Sequence, residues 1–133
     1  MADPRNPVRE VMSRGAISVD EKLTLRSLAA VLAELDIGVA LVARPDGSVG
    51  IVSERDVVRA LADGADPDEV WAADVMIDDL VLAEPEESIV DVAERMSAEV
   101  VRHVPIVDRG TIVGVVSARD LLPILTDHAL ATL

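Results

Sequence analysis

Two stretches of the chain have apolar residues at helical spacing. They are Leu25, Leu28, Val31, Leu32 and Leu35 in the first stretch, and Ile89, Val92, Ala93, Met96 and Val100 in the second. Intervals of three and four residues place these side chains on one face of a helix, so the pattern predicts helices over 25–35 and 89–100. Ser88 and Asp91 resemble a capping box at the start of the second helix.

Shorter apolar runs, rich in Val and Ile, lie around these helices and predict strands. The runs are 16–19, 39–43 and 48–52 in the first half, and 80–83, 103–107 and 111–116 in the second. The last two runs of each half are joined by a turn sequence, Pro45-Asp46-Gly47 or Asp108-Arg109-Gly110, which indicates a hairpin. A further helix is predicted to start at Ser53 and at Ser117. The order of elements is therefore β-α-β-β-α, twice.

The order repeats because the sequence itself is duplicated. The segment "GIVSERD" at 50–56 matches "GVVSARD" at 114–120, and "VREVM" at 8–12 matches "AADVM" at 72–76, with no gap needed between the two matches. A period this long, present only twice, indicates a tandem duplication rather than a solenoid. The predicted boundaries are 8–62 for the first repeat, 63–71 for the connecting segment and 72–127 for the second repeat.

One repeat alone would leave a face of its small sheet uncovered. Two repeats packed sheet to sheet would bury that face, so we predict an α/β (α+β) fold in which both repeats form one pseudo-twofold module. Strands rich in Val and Ile fit a sheet that is covered on both faces. Half of the residues are apolar, which is enough for a packed core although Trp71 is the only aromatic residue.

The chain is strongly acidic, with 25 Asp and Glu against 12 Lys and Arg. This balance disfavours nucleic acid as a partner, because phosphates are bound by Lys and Arg, and it disfavours anionic lipid surfaces for the same reason. No apolar run approaches the roughly 18 residues of a membrane span. The N-terminal residues lack the layout of a signal peptide, and there are no cysteines. We therefore expect a soluble cytoplasmic protein.

The repeated Ser-x-x-Asp at the start of the last helix of each repeat allows two interpretations. Ser53 with Asp56, and Ser117 with Asp120, can form reciprocal helix caps and nothing more. The same helix end also has backbone N–H groups and a positive dipole that attract phosphate, while a carboxylate one turn further on can accept both hydroxyls of a ribose. A cap and a ligand site are compatible at one helix end.

With its order of elements, its tandem arrangement and the repeated G-h-h-S-x-x-D, where h is apolar, the chain resembles a pair of CBS domains, also called a Bateman module. The resemblance runs from about Val8 to Leu125 and includes "VMSRGAISVDEKLT" and "RHVPIVDRGTIVGVVSARDLL". It implies a regulatory binding module for adenosine-containing ligands (AMP, ADP or ATP, or S-adenosylmethionine), held in clefts between the two repeats. No cofactor is required in such a module, although Mg²⁺ can accompany a nucleotide.

The resemblance also implies ligand-binding residues. Asp56 and Asp120 would bind ribose, and Ser53 and Ser117 would bind ribose or phosphate. The other residues expected at the ligand are Ala16, Ile17, Val39, Ile51 and Arg55 with the first repeat, and Leu80, Val81, Arg102, His103, Val104, Val115 and Arg119 with the second.

The two expected sites differ in charge. Before the second strand, the second repeat has Arg102 and His103 where the first has Gly38 and Val39. Because a triphosphate needs cations, we expect the nucleotide in the second site. The first site is then empty or selective for a less charged ligand.

The remaining polar residues predict neither a catalytic nor a metal site. His103 and His128 are not spaced as a metal-binding pair, and no nucleophile elbow surrounds the serines. We expect Trp71 to pack in the connection between the repeats rather than to stack on a base. Pro123 lies inside the last predicted helix and should bend it.

Three functions remain to be compared. A sensor that binds an adenosine ligand and signals to a separate effector protein comes first, and a ligand-free dimerisation module comes second. An enzyme comes last, because no base, nucleophile and orienting group can be assembled. The apolar end of the chain, 120–133, predicts a homodimer formed through helices, in which Leu122 or Leu125 lies at the interface.

Overall fold

The protein is described by a computed structural model that covers residues 3–14 and 16–131. In chain order its elements are a short 3₁₀ helix (Val8–Glu10), β1 (Ser13–Arg14), β2 (Ser18–Asp20), α1 (Leu25–Glu34), β3 (Val39–Ala43), β4 (Val49–Ser53), α2 (Glu54–Ala62), α3 (Ala72–Val75), α4 (Ile89–Glu99), β5 (His103–Asp108), β6 (Thr111–Ser117) and α5 (Ala118–Ala131). The two helices predicted from apolar spacing are confirmed as α1 and α4. Both predicted hairpins are confirmed as β3–β4 and β5–β6.

The chain divides into two compact units, each with its own sheet and core. The first, here called the continuous unit, is Ile17–Leu80. The second, here called the split unit, combines Val81–Leu133 with Met1–Ala16.

The continuous unit has a three-stranded sheet in the order β2-β3-β4, in which β2 is parallel to β3 and β3 is antiparallel to β4. The β3–β4 turn needs Gly47, whose φ of 88° lies in the left-handed region that favours glycine. Helices α1 and α2 bury one face each. The core residues are Val19, Leu25, Leu28, Leu32, Ala40, Val42, Val52, Val57 and Ala72.

The split unit has a sheet in the order β1-β6-β5, with antiparallel pairing throughout. Helix α5 follows β6 directly and continues past Pro123 to Ala131. The core residues are Val8, Ala83, Ile89, Val92, Met96, Val104, Ile106, Val116 and Leu121.

The segments that begin the two repeats, 8–12 and 72–76, are exchanged between the units. Val8 is completely buried in the core of the split unit, and its N–H donates to the Glu87 carbonyl oxygen at 2.7 Å. Ala72 is completely buried in the continuous unit, and its N–H donates to the Leu23 carbonyl oxygen at 2.7 Å. Each of the matching pentapeptides thus completes the unit built on the other repeat. The repeats of the sequence and the compact units of the structure therefore have different boundaries.

This exchange explains the glycine that begins both copies of the heptapeptide motif. A Cβ on Gly50 would lie 2.5 Å from Met76 Sδ, and a Cβ on Gly114 would lie 2.8 Å from both Met12 Sδ and the Ser13 carbonyl oxygen. Only a residue without a side chain lets the exchanged segment approach the strand so closely. The repeated glycine therefore serves packing.

The strand predicted at 80–83 is not formed, and of these residues only Ala83 pairs with β5. In the continuous unit, the matching ladder includes a bond from the Leu41 N–H to the Ile17 carbonyl oxygen at 2.8 Å. When the two repeats are aligned, Pro105 stands at the position of Leu41. Because proline has no N–H, the ladder of the split unit cannot extend in the same way.

A polar cluster holds this segment instead. The Arg95 guanidinium donates to the Leu82 carbonyl oxygen at 2.9 Å and to both carboxylate oxygens of Glu87, at 2.5 and 3.0 Å. The Glu84 N–H also donates to Glu87, at 2.7 Å. The hydrogen bonds from Arg95 are the largest cause and lower the pKa of Glu87 from its usual range. Burial, the second cause, opposes them, and the hydrogen bond from the Glu84 backbone lowers the pKa further.

We expect this cluster to make stability depend on pH. Because the pKa of Glu87 is lowered by folding, its contribution is fully present above the pKa of the unfolded chain, near 4.3, and is lost as pH falls through the folded pKa. The difference in unfolding free energy between wild type and Glu87→Gln should therefore shrink as pH falls below about 4.3. Urea unfolding at a series of pH values measures it. Glu86→Gln, whose side chain is 74% exposed, is the matched control; a difference for Glu87→Gln that stays constant over this range would contradict the assignment.

Candidate functional site

Both Ser-x-x-Asp segments form reciprocal helix caps. The Ser53 N–H donates to Asp56 Oδ2 at 2.8 Å, and the Asp56 N–H donates to Ser53 Oγ at 3.2 Å. In the split unit, the Ser117 N–H donates to Asp120 Oδ2 at 2.9 Å, and the Asp120 N–H donates to Ser117 Oγ at 3.2 Å. The capping interpretation is thus confirmed at both helices. It leaves the second carboxylate oxygen, Oδ1, without a hydrogen bond to any described residue.

The hydroxyl groups of the two caps differ. Ser53 Oγ donates to Asp56 Oδ2 at 2.9 Å, whereas the described residues offer no acceptor to Ser117 Oγ. Within the described residues, the Ser53 hydroxyl thus donates inside its own cap and the Ser117 hydroxyl does not.

The residues predicted just before the second strand of each repeat do lie beside the caps. Val39 is the strand partner of Ser53, and His103 is the strand partner of Ser117. The Ala118 N–H donates to the Arg102 carbonyl oxygen at 2.8 Å, which brings Arg102 to the start of α5. Arg102 and Arg119 are both exposed, and His103 is half-buried.

The backbone N–H groups at these helix starts are less available than the sequence suggested. Those of Glu54 and Asp56 donate to the Gly38 carbonyl oxygen and to Ser53 Oγ. The equivalent groups of Ala118 and Asp120 are bonded in the same way. A phosphate at either end would therefore depend on side-chain cations more than on the helix backbone.

The apolar residues predicted at the ligand differ in how far they are buried. Ile51 and Val115 are buried strand residues, 8% and 5% exposed, and Val104 is completely buried, so its side chain belongs to the core. The unit boundaries fall inside both pairs expected at the ligand before the first helix of each repeat, Ala16-Ile17 and Leu80-Val81. Of these four, Ile17 is the most exposed and the others are half-buried.

Sequence reasoning missed Glu54. The structure places its carboxylate oxygen Oε1 3.3 Å from the position that a Cβ on Gly38 would occupy. The available signal was the duplication itself, because the alignment of the two repeats sets Glu54 against Ala118 and Gly38 against Arg102. The exposed Arg55 follows Glu54 as Arg119 follows Ala118.

A cavity of about 800 Å³ in the split unit lies elsewhere, between the 82–87 segment and the β5–β6 turn. It is at the Asp108 end of β5, five residues or roughly 16 Å from His103. The cavity and the Ser117–Asp120 cap are thus separate features.

The remaining features to be placed are possible metal ligands, possible membrane spans, Trp71 and His128. Among the described residues, no three His, Cys, Asp or Glu side chains are grouped so that they could hold a metal ion. No helix within residues 3–14 and 16–131 is long and apolar enough to cross a membrane. Trp71 is 43% exposed, with Lys22 Nζ 5.8 Å from the centre of its ring, and His128 lies outside the residues whose side chains are described.

Comparison with known proteins gives consistent matches. MJ1225 of Methanocaldococcus jannaschii, an uncharacterized protein, is 30% identical over 126 residues, and the match covers 94% of this chain but 45% of that protein, about half its length. Hypoxic response protein 1 of Mycobacterium tuberculosis is 31% identical over 124 residues, covering 92% of this chain and 87% of that protein.

Solved structures show the same fold. The CBS domain pair of protein MJ0100, in complex with 5′-methylthioadenosine and S-adenosyl-L-methionine, superposes with a TM-score of 0.81 at 23% identity and covers 94% of this chain and 99% of that one. The family model of the CBS domain matches residues 8–63 and again residues 72–127. The chain therefore belongs to the CBS domain family, and it contains two CBS domains in tandem.

Proposed function

We propose that the chain is a regulatory binding module, rather than an enzyme, for an adenosine-containing ligand. The observation that carries the proposal is the division of labour within each cap carboxylate: Oδ2 keeps the helix capped, whereas Oδ1 of Asp56 and of Asp120 makes no hydrogen bond to a described residue and can accept ribose hydroxyls. Binding would then not require the helix start to rearrange. The same fold in MJ0100 was solved with two adenosine-containing molecules, which supports this ligand class.

The phosphate groups of a nucleotide would be bound at the second cap. Arg102 and Arg119 supply the cations there, and the Ser117 hydroxyl supplies a donor. Mg²⁺ could accompany a di- or triphosphate without being required for binding. The module would act on a separate effector protein and would form a homodimer through the exposed apolar residues of α2 and α5.

We expect AMP or ATP to raise the thermal stability of the protein. A ligand that binds only the folded state adds about 2.7 kcal/mol at roughly 100 times its dissociation constant.

Asp120→Asn should weaken nucleotide binding by about tenfold or more in isothermal titration, since it removes the charge from a hydrogen bond to ribose. Asp108→Asn, at the opposite end of β5, is the matched control and should bind as wild type does.

A ligand-free dimerisation module is the second candidate. It is favoured by the two complete caps, because Ser-x-x-Asp already has a structural role in the free protein. Thermal scans with adenosine, AMP, ATP and S-adenosylmethionine separate the two functions. If none of these compounds raises the melting temperature, the dimerisation module is the better description.

A further inference from the structure

The two caps have the same backbone hydrogen bond beside them but side chains of different charge. The Glu54 N–H donates to the Gly38 carbonyl oxygen at 2.9 Å, and the Ala118 N–H donates to the Arg102 carbonyl oxygen at 2.8 Å. The continuous unit therefore has a carboxylate where the split unit has a methyl group, and a hydrogen where the split unit has a guanidinium. These differences in side chain change the charge beside the cap, whereas the backbone hydrogen bond is the same in both units.

The Glu54 carboxylate occupies the space beside residue 38. Its Oε1 lies 3.3 Å from a Cβ built on Gly38, and the other atom within 4 Å of that Cβ is the Glu54 Cδ. Glu54 forms no ion pair with any residue in the described ranges. Its carboxylate is thus exposed, two residues before Asp56, and is not neutralised by any cation that the structure describes.

The continuous unit is also more negatively charged as a whole than the split unit. The continuous unit carries 14 acidic and five basic residues, whereas the split unit carries 11 acidic and seven basic residues. A summed negative field lowers the local concentration of anions, so the continuous unit repels a phosphate more strongly. The position equivalent to Arg14 of the split unit is Asp78 in the continuous unit.

We infer that the two sites select their ligands by charge and that Glu54 determines the specificity of the Asp56 site. This inference rests on the proposed adenosine binding. The Asp120 site takes a phosphorylated adenosine ligand. The Asp56 site takes an adenosine ligand without net negative charge, which is either a neutral nucleoside or a sulfonium compound whose net charge is positive, because a phosphate would meet the Glu54 carboxylate. Both sites have an aspartate that would bind ribose, Asp56 in one and Asp120 in the other. The charge of the residues beside that aspartate therefore decides which ligand each site prefers.

Isothermal titration with AMP, adenosine and S-adenosylmethionine tests the inference in an Asp120→Asn background, which leaves the Asp56 site intact. Glu54→Gln should raise the affinity of that site for AMP by about tenfold, because it removes a like-charge contact. It should leave adenosine binding unchanged. Adding NaCl should weaken the discrimination in the Glu54 protein by screening the exposed charge.

Two further variants make the test sharper. Glu54→Ala with Gly38→Arg copies the side chains of the split unit, and the added Cβ meets no described atom once the Glu54 carboxylate is gone. This double variant should bind AMP more tightly than Glu54→Gln does. Glu69→Gln removes one exposed charge from the same unit and should have little effect, because Glu69 lies beside Val70 at the Leu25 end of α1, whereas Gly38 follows the other end of that helix. Circular dichroism melting confirms that each variant is folded.

The outcomes separate the two levels of the proposal. If adenosine ligands bind but Glu54→Gln leaves the ratio of AMP to adenosine affinity unchanged, the charge selection is wrong and the proposed function stands. If no adenosine compound binds to either wild type or the variants, both the proposed function and this inference are overturned.

Discussion

Replacing Gly114 with alanine should lower the free energy of unfolding by about 1–3 kcal/mol, the usual cost of overpacking a filled site. The added Cβ would lie 2.8 Å from the Ser13 carbonyl oxygen, which is backbone paired in the sheet, and 2.8 Å from Met12 Sδ. The methionine can turn away, but the backbone cannot move without breaking the pairing of β1 with β6. Gly50→Ala should cost less, because the Cβ there meets Met76 Sδ at 2.5 Å and the Ile77 carbonyl oxygen only at 3.1 Å.

Urea unfolding of single and double variants measures both effects. Met76→Ala should couple strongly with Gly50→Ala, since it removes the nearest obstructing atom, whereas Met12→Ala should couple weakly with Gly114→Ala. Gly38→Ala is the control, because its Cβ meets only the end of the flexible Glu54 side chain. If Gly114→Ala costs no more than Gly38→Ala, the glycine does not serve the close approach of the exchanged segment.

The local elements of the fold were accessible from the sequence. The helices α1 and α4 follow from apolar residues at intervals of three and four, and each bears a threonine or serine cap, at Thr24 or Ser88. The hairpins follow from apolar runs on either side of Gly47 and Gly110. All of these signals involve residues that are near one another in the sequence, and local periodicity reports such contacts directly.

The exchange of segments was not accessible in the same way. The alignment of the two repeats shows that Val8 and Ala72 are equivalent, but it does not say which repeat each one packs against. That choice depends on contacts between distant parts of the chain, such as the hydrogen bond of Val8 to Glu87. The sequence does contain a signal that the first strand of the second repeat, 80–83, would not form. This signal is Pro105 in the neighbouring strand, which has no N–H to pair with it.

The candidate site was predicted in part. The Ser and Asp residues of each cap lie together as their spacing indicated, and Val39 and His103 lie beside them as the resemblance to CBS domains implied. The competition for backbone N–H groups was not foreseen, because the partners at Gly38 and Arg102 are carbonyl groups, and a carbonyl has no sequence signature. Glu54 was visible in the alignment of the two repeats, yet its significance depends on where its carboxylate lies.

Leu122→Asp should convert the proposed homodimer into a folded monomer. Leu122 is 64% exposed on α5, while its neighbour Leu121 is 1% exposed in the core, so the substitution places a charge outside the packed interior. The equivalent residue in α2, Val58, is 63% exposed beside the buried Val57. In the proposed homodimer, we expect each of these two outward apolar residues to be covered by a second copy of the chain.

Light scattering at tens of micromolar protein measures the mass, and circular dichroism measures folding. Leu125→Asp is the informative contrast, since Leu125 packs against the core of the split unit and its replacement should unfold that unit rather than dissociate the dimer. Val58→Asp should weaken the dimer as Leu122→Asp does. A wild-type protein with the mass of one chain would overturn the dimer, and a wild-type dimer that survives both outward substitutions would place the interface on another surface. Because an aspartate at an exposed position costs little in a monomer, loss of folding in Leu122→Asp would mean that the dimer is required for the fold.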